Sequence, residues 1–199
     1  YRQAIAIAPN EPSLRLNHSI AMLKSGRLAQ GWTEHEWRLS LPDHTSLPYG
    51  ELLPTISPNL DLRGKRVLVT QEEGLGDTLM YLRYLPALAR TGASITVWGA
   101  STLAAITRRI EGTHSVQTGG EQPQYDYHCP FISLPRAFSG TPDAMGAPVP
   151  YITPDPIKAE NWKKILHRDR NLRVGLVWAG GARPENTAAY MVDRHRSLP

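Results

Sequence analysis

With 199 residues, 41% of them hydrophobic and 20% charged, the chain carries enough apolar material for a core shared by one or two domains. Its formal charge of +4 arises from 22 basic against 18 acidic residues without a long like-charge run, so nucleic acid is not an expected partner. No stretch reaches the ~18 consecutive apolar residues of a membrane helix, and the first residues lack a signal-peptide pattern, which leads to the expectation of a cytoplasmic protein without a transmembrane segment.

In chain order, Tyr1, Ala4 and Pro9 resemble in their spacing the second helix and closing proline of a tetratricopeptide repeat, a helical unit of about 34 residues. From Pro12 onward, Leu14, Leu16, Ile20, Met22 and Leu23 mark one helix, Gly26 a turn, and Leu28 through Trp32 to Trp37 another. Residues 1–40 are therefore expected to be repeat helices, with His35 and Arg38 departing from the usual residue types as in a terminal unit that packs on a neighbouring domain. Trp32, Glu36, Trp37 and Arg38 read as core and junction rather than as a ligand patch. Pro42, Pro48, Pro54 and Pro58 interrupt any period, and residues 41–60 read as a linker draped over the next domain.

Arg66-Val67-Leu68-Val69-Thr70-Gln71 is short, apolar and β-branched, as a buried strand is, and Glu72-Glu73-Gly74-Leu75-Gly76-Asp77-Thr78 ends it with two glycines. Leu79, Met80, Leu82, Leu85, Leu88 and Ala89 then recur at three- and four-residue steps. The spacing predicts a helix capped by Asp77 or Thr78 and kinked, or shifted in register, at Pro86. A strand, glycine loop and helix aim backbone N–H groups at one space beyond the sheet's carboxyl edge, which suits an anionic or polar ligand. The competing readings are an ordinary glycine turn and a merely N-capping aspartate. The loop lacks both the third glycine of a dinucleotide fingerprint and the Gly-Lys-Ser/Thr of a P-loop, which weakens nicotinamide and ATP readings.

Further strands are expected at Ser94 to Trp98, Ser115 to Thr118 and Gln124 to Ile132, with a helix from Ser101 to Ile110 and a short one from Ser133-Leu134-Pro135 to near Gly140. Strands alternating with helices imply a parallel sheet, so residues 61–150 read as a Rossmann-like α/β domain. Cys129, the single cysteine, is expected as a buried thiol. His128 is expected as a core or edge residue, and without a second histidine at ligand spacing no metal is expected. After a proline-rich connector, Asp155 caps and Pro156 opens a helix bearing Ile157, Trp162, Ile165 and Leu166. Leu172 to Trp178 reads as another buried strand ending at Ala179-Gly180-Gly181, and Asp193-Arg194-His195-Arg196-Ser197 forms a cationic tail, so residues 151–199 read as a linker helix and the start of a second domain.

Gly74-Leu75-Gly76-Asp77-Thr78, with the helix running to Arg83-Tyr84-Leu85-Pro86-Ala87-Leu88, resembles the start of the acceptor-side domain of ADP-heptose:lipopolysaccharide heptosyltransferases. The chain as a whole resembles bacterial proteins in which tetratricopeptide repeats precede a heptosyltransferase-like domain of GT-B fold, similar to glycosyltransferase family 9. The resemblance implies the N-terminal half of a GT-B fold and inverting transfer from a nucleotide sugar without a bound metal. It also implies that this chain is a fragment lacking most of the donor domain, and therefore inactive alone. It further implies Asp77 as the base, Gly74, Gly76 and Thr78 beside the acceptor, and Gly180, Gly181, Arg194, Arg196 and Ser197 on the donor's phosphates. An alternative is a non-catalytic repeat scaffold for a protein or polymer partner. A dinucleotide-dependent oxidoreductase is a third.

Overall fold

The computed structural model describes residues 1–42, 44, 47–48, 51–72, 74–140, 149–166, 171–177, 190–192 and 195. The chain divides into two compact units, Tyr1–Pro154 and Asp155–Pro199.

Three helices open the first unit: α1 (Arg2–Ile7), α2 (Pro12–Lys24) and α3 (Leu28–His35). The Glu11 carboxylate caps α2 by accepting from the Ser13 amide, and Pro12 stands in the first turn, where a missing N–H costs nothing. Gly31 lets α2 and α3 approach, since a Cβ there would meet the Leu23 side chain at 2.7 Å. A 3-10 turn, Glu36–Ser40, leads out of α3. The helices lie where the sequence places them, but they do not amount to a demonstrated tetratricopeptide repeat. Nor do they stand apart from the sheet. Trp32 packs against the main core, and Gly140, at φ +61°, comes so near α3 that a Cβ would meet the Ala29 Cα at 3.0 Å.

Four parallel strands follow: β1 (Arg66–Thr70), β2 (Ser94–Trp98), β3 (Thr113–Gln117) and β4 (Tyr127–Pro130), in the order β3-β2-β1-β4. Val67, Leu68 and Val69 are all buried, which is why central β1 reads as an unbroken apolar run. Edge strand β3 is correspondingly polar and more exposed. Between β1 and β2 the helical stretch breaks into α4 (Leu75–Tyr81), a 3-10 turn (Leu82–Tyr84) and α5 (Leu85–Ala89), because Pro86 has no N–H to continue a single helix. α6 (Ser101–Thr107) joins β2 to β3, and a 3-10 turn (Phe131–Ser133) with α7 (Leu134–Ala137) follows β4. Leu82, Leu85 and Leu88, with β1, β2, Phe131 and Leu134, make the core.

The segment 41–60 is more than a drape. Leu52 bridges His128 on the outer side of β4, the Leu53 amide donates to the His128 carbonyl at 2.8 Å, and Leu53 is wholly buried. His128 fits its expected place as a core residue; its Nε2 bonds the Pro48 carbonyl at 2.8 Å. Cys129 is fully buried, and desolvation pushes its thiol pKa up.

In the second unit α8 (Pro156–Leu166) begins as the sequence indicates, with Asp155 Oδ1 accepting from the Ile157 and Lys158 amides, both at 3.0 Å. The strand expected at Leu172 to Trp178 does not form over the described residues 172–177, where Leu172 is 90% exposed. A strand needs a neighbour for its N–H and C=O groups, and among the described residues none lies beside it. Among those residues, too, no helix is long and apolar enough to cross a membrane.

Candidate binding site at the carboxyl edge of the sheet

The chain runs from β1 outward to β2 and β3, then returns through residues 118–126 to place β4 on the other side of β1. The strand order therefore reverses between β1 and β4, and open α/β sheets bind ligands in the crevice such a reversal leaves at the carboxyl ends. A cavity of about 570 Å³ lies there, within the ~300–1,000 Å³ range of small-molecule sites. Thr70, Gln71 and Glu72 supply its wall from the end of β1, Trp98 from the end of β2, and Pro130 from β4. Gln122 enters from the β3–β4 connection, and His44 from the segment after the 3-10 turn at 36–40.

Each wall residue has a local reason for its place. Gln71 Oε1 accepts from the Ala100 amide at 2.8 Å, satisfying a donor at the start of α6 and tying the two strand-to-helix loops together. The Gln71 amide also bonds the Trp98 carbonyl at 3.0 Å, extending the β1–β2 ladder to the cavity rim.

Behind Glu72 stands a buried ionic network. Arg38, 4% exposed, donates through Nε to Glu72 Oε2 at 3.1 Å and through Nη2 to Glu72 Oε1 at 2.7 Å. Its remaining donors reach Glu36 Oε1 at 2.8 Å, the His35 carbonyl at 3.3 Å and Ser133 Oγ at 2.7 Å, so all five N–H groups are used. Ser133 Oγ in turn donates to Glu36 Oε2 at 2.9 Å, and Arg136 Nε lies 3.6 Å from the same oxygen. Burial opposes the Arg38 charge, but the hydrogen bonds and charges of Glu72 and Glu36 outweigh it and raise its pKa. Ser133 holds the N-cap position of α7, but its hydroxyl serves the network instead of bonding a helix amide. Two carboxylates face two guanidinium groups, and His44 Nε2 lies 2.9 Å from Glu72 Oε2 at the end of the chain of contacts.

Of the residues expected from sequence, Gly74, Gly76, Asp77 and Thr78 do not line this cavity. Helix α4 starts at Leu75, earlier than expected, so Gly76, Asp77 and Thr78 are helical and Gly74 is the N-cap, without a side-chain cap from Asp77 or Thr78. Asp77 is exposed, with Oδ2 3.3 Å from where a Cβ on Gly74 would be. Thr78 is 3% exposed and its hydroxyl donates back to the Gly74 carbonyl at 3.3 Å. Burial foremost, and then the Asp77 charge, raise the Tyr81 pKa to about 12. Gly180, Gly181, Arg194, Arg196 and Ser197 lie outside the described residues. Gln71 and Trp98 were legible as strand ends and Glu72 as the start of the glycine loop; His44, alone in a proline-rich stretch, carried no such signal. No group of three or more His, Cys, Asp or Glu side chains is arranged for a metal among the described residues.

The parallel sheet, with its cavity at the strand-order reversal, makes this an α/β domain of Rossmann-like type. The chain is 24% identical to Protein FlbA of Caulobacter vibrioides over 203 aligned positions, covering 88% of this chain and 33% of that protein. It thus spans about a third of the length of the curated relative it matches. No family model matches the chain, and no solved structure does. These findings overturn the resemblance to tetratricopeptide-repeat proteins with a heptosyltransferase-like domain. Neither family's model finds its pattern here, and the similarity that is found is to FlbA. Short glycine, proline and leucine spacings recur across α/β and helical proteins, and the resemblance rested on such spacings.

Proposed function

We propose that the cavity binds a carbohydrate, and that the chain is the acceptor-side part of an enzyme that transfers a sugar, with inversion, from a nucleotide-sugar donor. The observation that carries this reading is the wall itself, where the Trp98 indole stands with two carboxamides, a carboxylate and an imidazole at the strand-order reversal. Sugars present C–H faces to aromatic rings and hydroxyl rims to placed polar groups, and this wall offers both. Inverting transfer also asks for a base near the acceptor hydroxyl and for stabilisation of the leaving diphosphate. The first task falls to the unit Tyr1–Pro154.

A non-catalytic scaffold is the second reading, supported by a separate groove on α2 and α3 where the Arg15 guanidinium stands 5.2 Å from the Trp37 ring. Tryptophan fluorescence titrated with the methyl glycosides of glucose, galactose and mannose separates the two. One glycoside is expected to quench the wild-type chain, and Trp98→Ala to weaken that response about tenfold, or about 1.4 kcal/mol. No response in the wild type, or the same response in Trp98→Ala, removes the carbohydrate reading and leaves the scaffold.

A further inference from the structure

A second cavity, of about 160 Å³, lies in the first unit between α3 and the end of α4, and shares no described lining residue with the cavity at the strand ends. Leu28 and Trp32 come to it from α3, Met80 and Tyr81 from α4, and Tyr84 from the 3-10 turn that follows. Side chains three residues apart eclipse in such a turn, so Tyr81 and Tyr84 stand on one side of it, with ring centroids 6.4 Å apart. Trp32 meets Tyr81 edge-on at 6.1 Å, and the Gly140 backbone comes so near that a Cβ there would lie 3.0 Å from Trp32 Cδ1. Tyr81 and Tyr84 are only 7% and 5% exposed, and neither hydroxyl has a hydrogen-bond partner among the described residues. Both hydroxyls nevertheless keep accessible surface, and at that exposure little of either residue meets solvent outside the cavity that both line. Burial raises the pKa of both phenols, so each stays protonated at neutral pH and can donate as well as accept. Buried polar groups in native proteins are paired as a rule, and two adjacent phenols without partners on one cavity wall point to a ligand that supplies them.

We infer that this cavity binds a free small molecule built on a single aromatic ring, with a hydroxyl or similar hydrogen-bonding group on its edge. A cavity of about 150 Å³ takes one benzene ring, so 160 Å³ admits one ring and leaves no space for a peptide backbone. The ring packs among Trp32, Tyr81 and Tyr84 in the edge-to-face or offset arrangements that aromatic groups prefer, with the Met80 thioether against it. Its polar edge exchanges hydrogen bonds with the Tyr81 and Tyr84 hydroxyls. Arg83, whose guanidinium carbon lies 5.4 Å from the Tyr151 ring, brings a positive charge to the wall, which argues against an ammonium ligand in spite of the aromatic lining. Leu28, Met80 and Trp32 offer too few polar groups for the hydroxyl rim of a sugar, so this site is independent of the carbohydrate reading of the other cavity.

Spectra of the 199-residue chain labelled with 13C at the methionine methyls test this, with phenol and benzene as probes and the Met80 signal assigned by its loss in Met80→Leu. Phenol is expected to move the Met80 signal saturably, and benzene to do so with about tenfold weaker affinity for want of the hydrogen bond. In the double variant Tyr81→Phe, Tyr84→Phe, phenol is expected to fall to the affinity of benzene. The urea midpoint of that variant is expected to match the wild type, because hydroxyls without partners add nothing to the fold. A Met80 signal unmoved by both probes, phenol binding no tighter than benzene, or phenol binding unchanged in the double variant overturns the inference. A midpoint lowered by the double variant does so too, since it shows the hydroxyls already paired. N-acetyl-tyrosinamide, which carries the phenol ring on a peptide backbone, is expected to bind more weakly than phenol; tighter binding overturns the assignment to a free small molecule.

Discussion

His35 shows how one neighbour's charge becomes a property of the fold. Its Nδ1 lies 2.9 Å from Ser19 Oγ, and its ring meets Trp32 edge-on at 5.5 Å. Burial first, and the Arg38 charge second, lower its pKa to about 4. A histidine whose folded pKa is depressed is protonated more readily in the unfolded chain, so stability falls as pH drops from the ordinary value of about 6.5 to about 4 and levels below that. Urea midpoints across this window are expected to decline in the wild type and to stay flat in His35→Gln. A decline of equal size in the variant removes His35 as the cause. A second loss is expected below about pH 3.8, where the exposed Asp61 and the half-buried Asp126, each held near 2 by hydrogen bonds from Arg63 and Arg66 respectively, take up protons. The sequence singled out His35 as unusual for a repeat helix, but nothing local in it could name Arg38 as the group that keeps it neutral.

At the scale of elements, the 3-10 turn 36–40 is the clasp between the helices and the sheet. Arg38 reaches Glu72, 34 residues on, and Ser133, 95 residues on. Removing a partner from a buried ionic network strands the charges left behind, at a cost of about 3–5 kcal/mol. Arg38→Met, which strips Glu72 of its guanidinium partner and leaves Glu36 with Arg136 alone at 3.6 Å, is expected to lose that much in urea denaturation. Arg38→Lys restores the charge without the fork and should recover only part of it; full recovery by lysine would show that charge alone, and not the five-bond geometry, holds the clasp. The strands were legible because parallel strands advertise themselves as apolar runs, and β2 falls on the residues its pattern marked. The start of α4 was misplaced because Asp77, a good capping residue, lies inside the helix while Gly74 takes the cap position. The site was legible only in part, since its wall is drawn from five separate stretches and periodicity reports none of those pairings.

For the molecule as a whole, the division at Pro154 matters more than the divisions the composition suggests. Residues 1–40 and 61–150 share one unit, through the Arg38 clasp and the approach of Gly140 to α3, so the helices and the sheet are expected to unfold together. α8 belongs to the other unit and leans on its own cap. Asp155→Ala is expected to cost α8 about 0.5–2 kcal/mol, read as faster amide exchange over residues 156–166, with the urea midpoint of the first unit unchanged. A lowered midpoint for the first unit would show that the two units unfold as one. The lone thiol adds a way to watch the cavity open. Cys129 sits beside Val69 in the β1–β4 ladder, next to Pro130 in the cavity wall, with no exposed surface of its own. A thiol reagent can reach it only when that ladder parts, so the rate of its modification acts as a stopwatch on the seam between β1 and β4, and whatever fills the cavity will slow the hands.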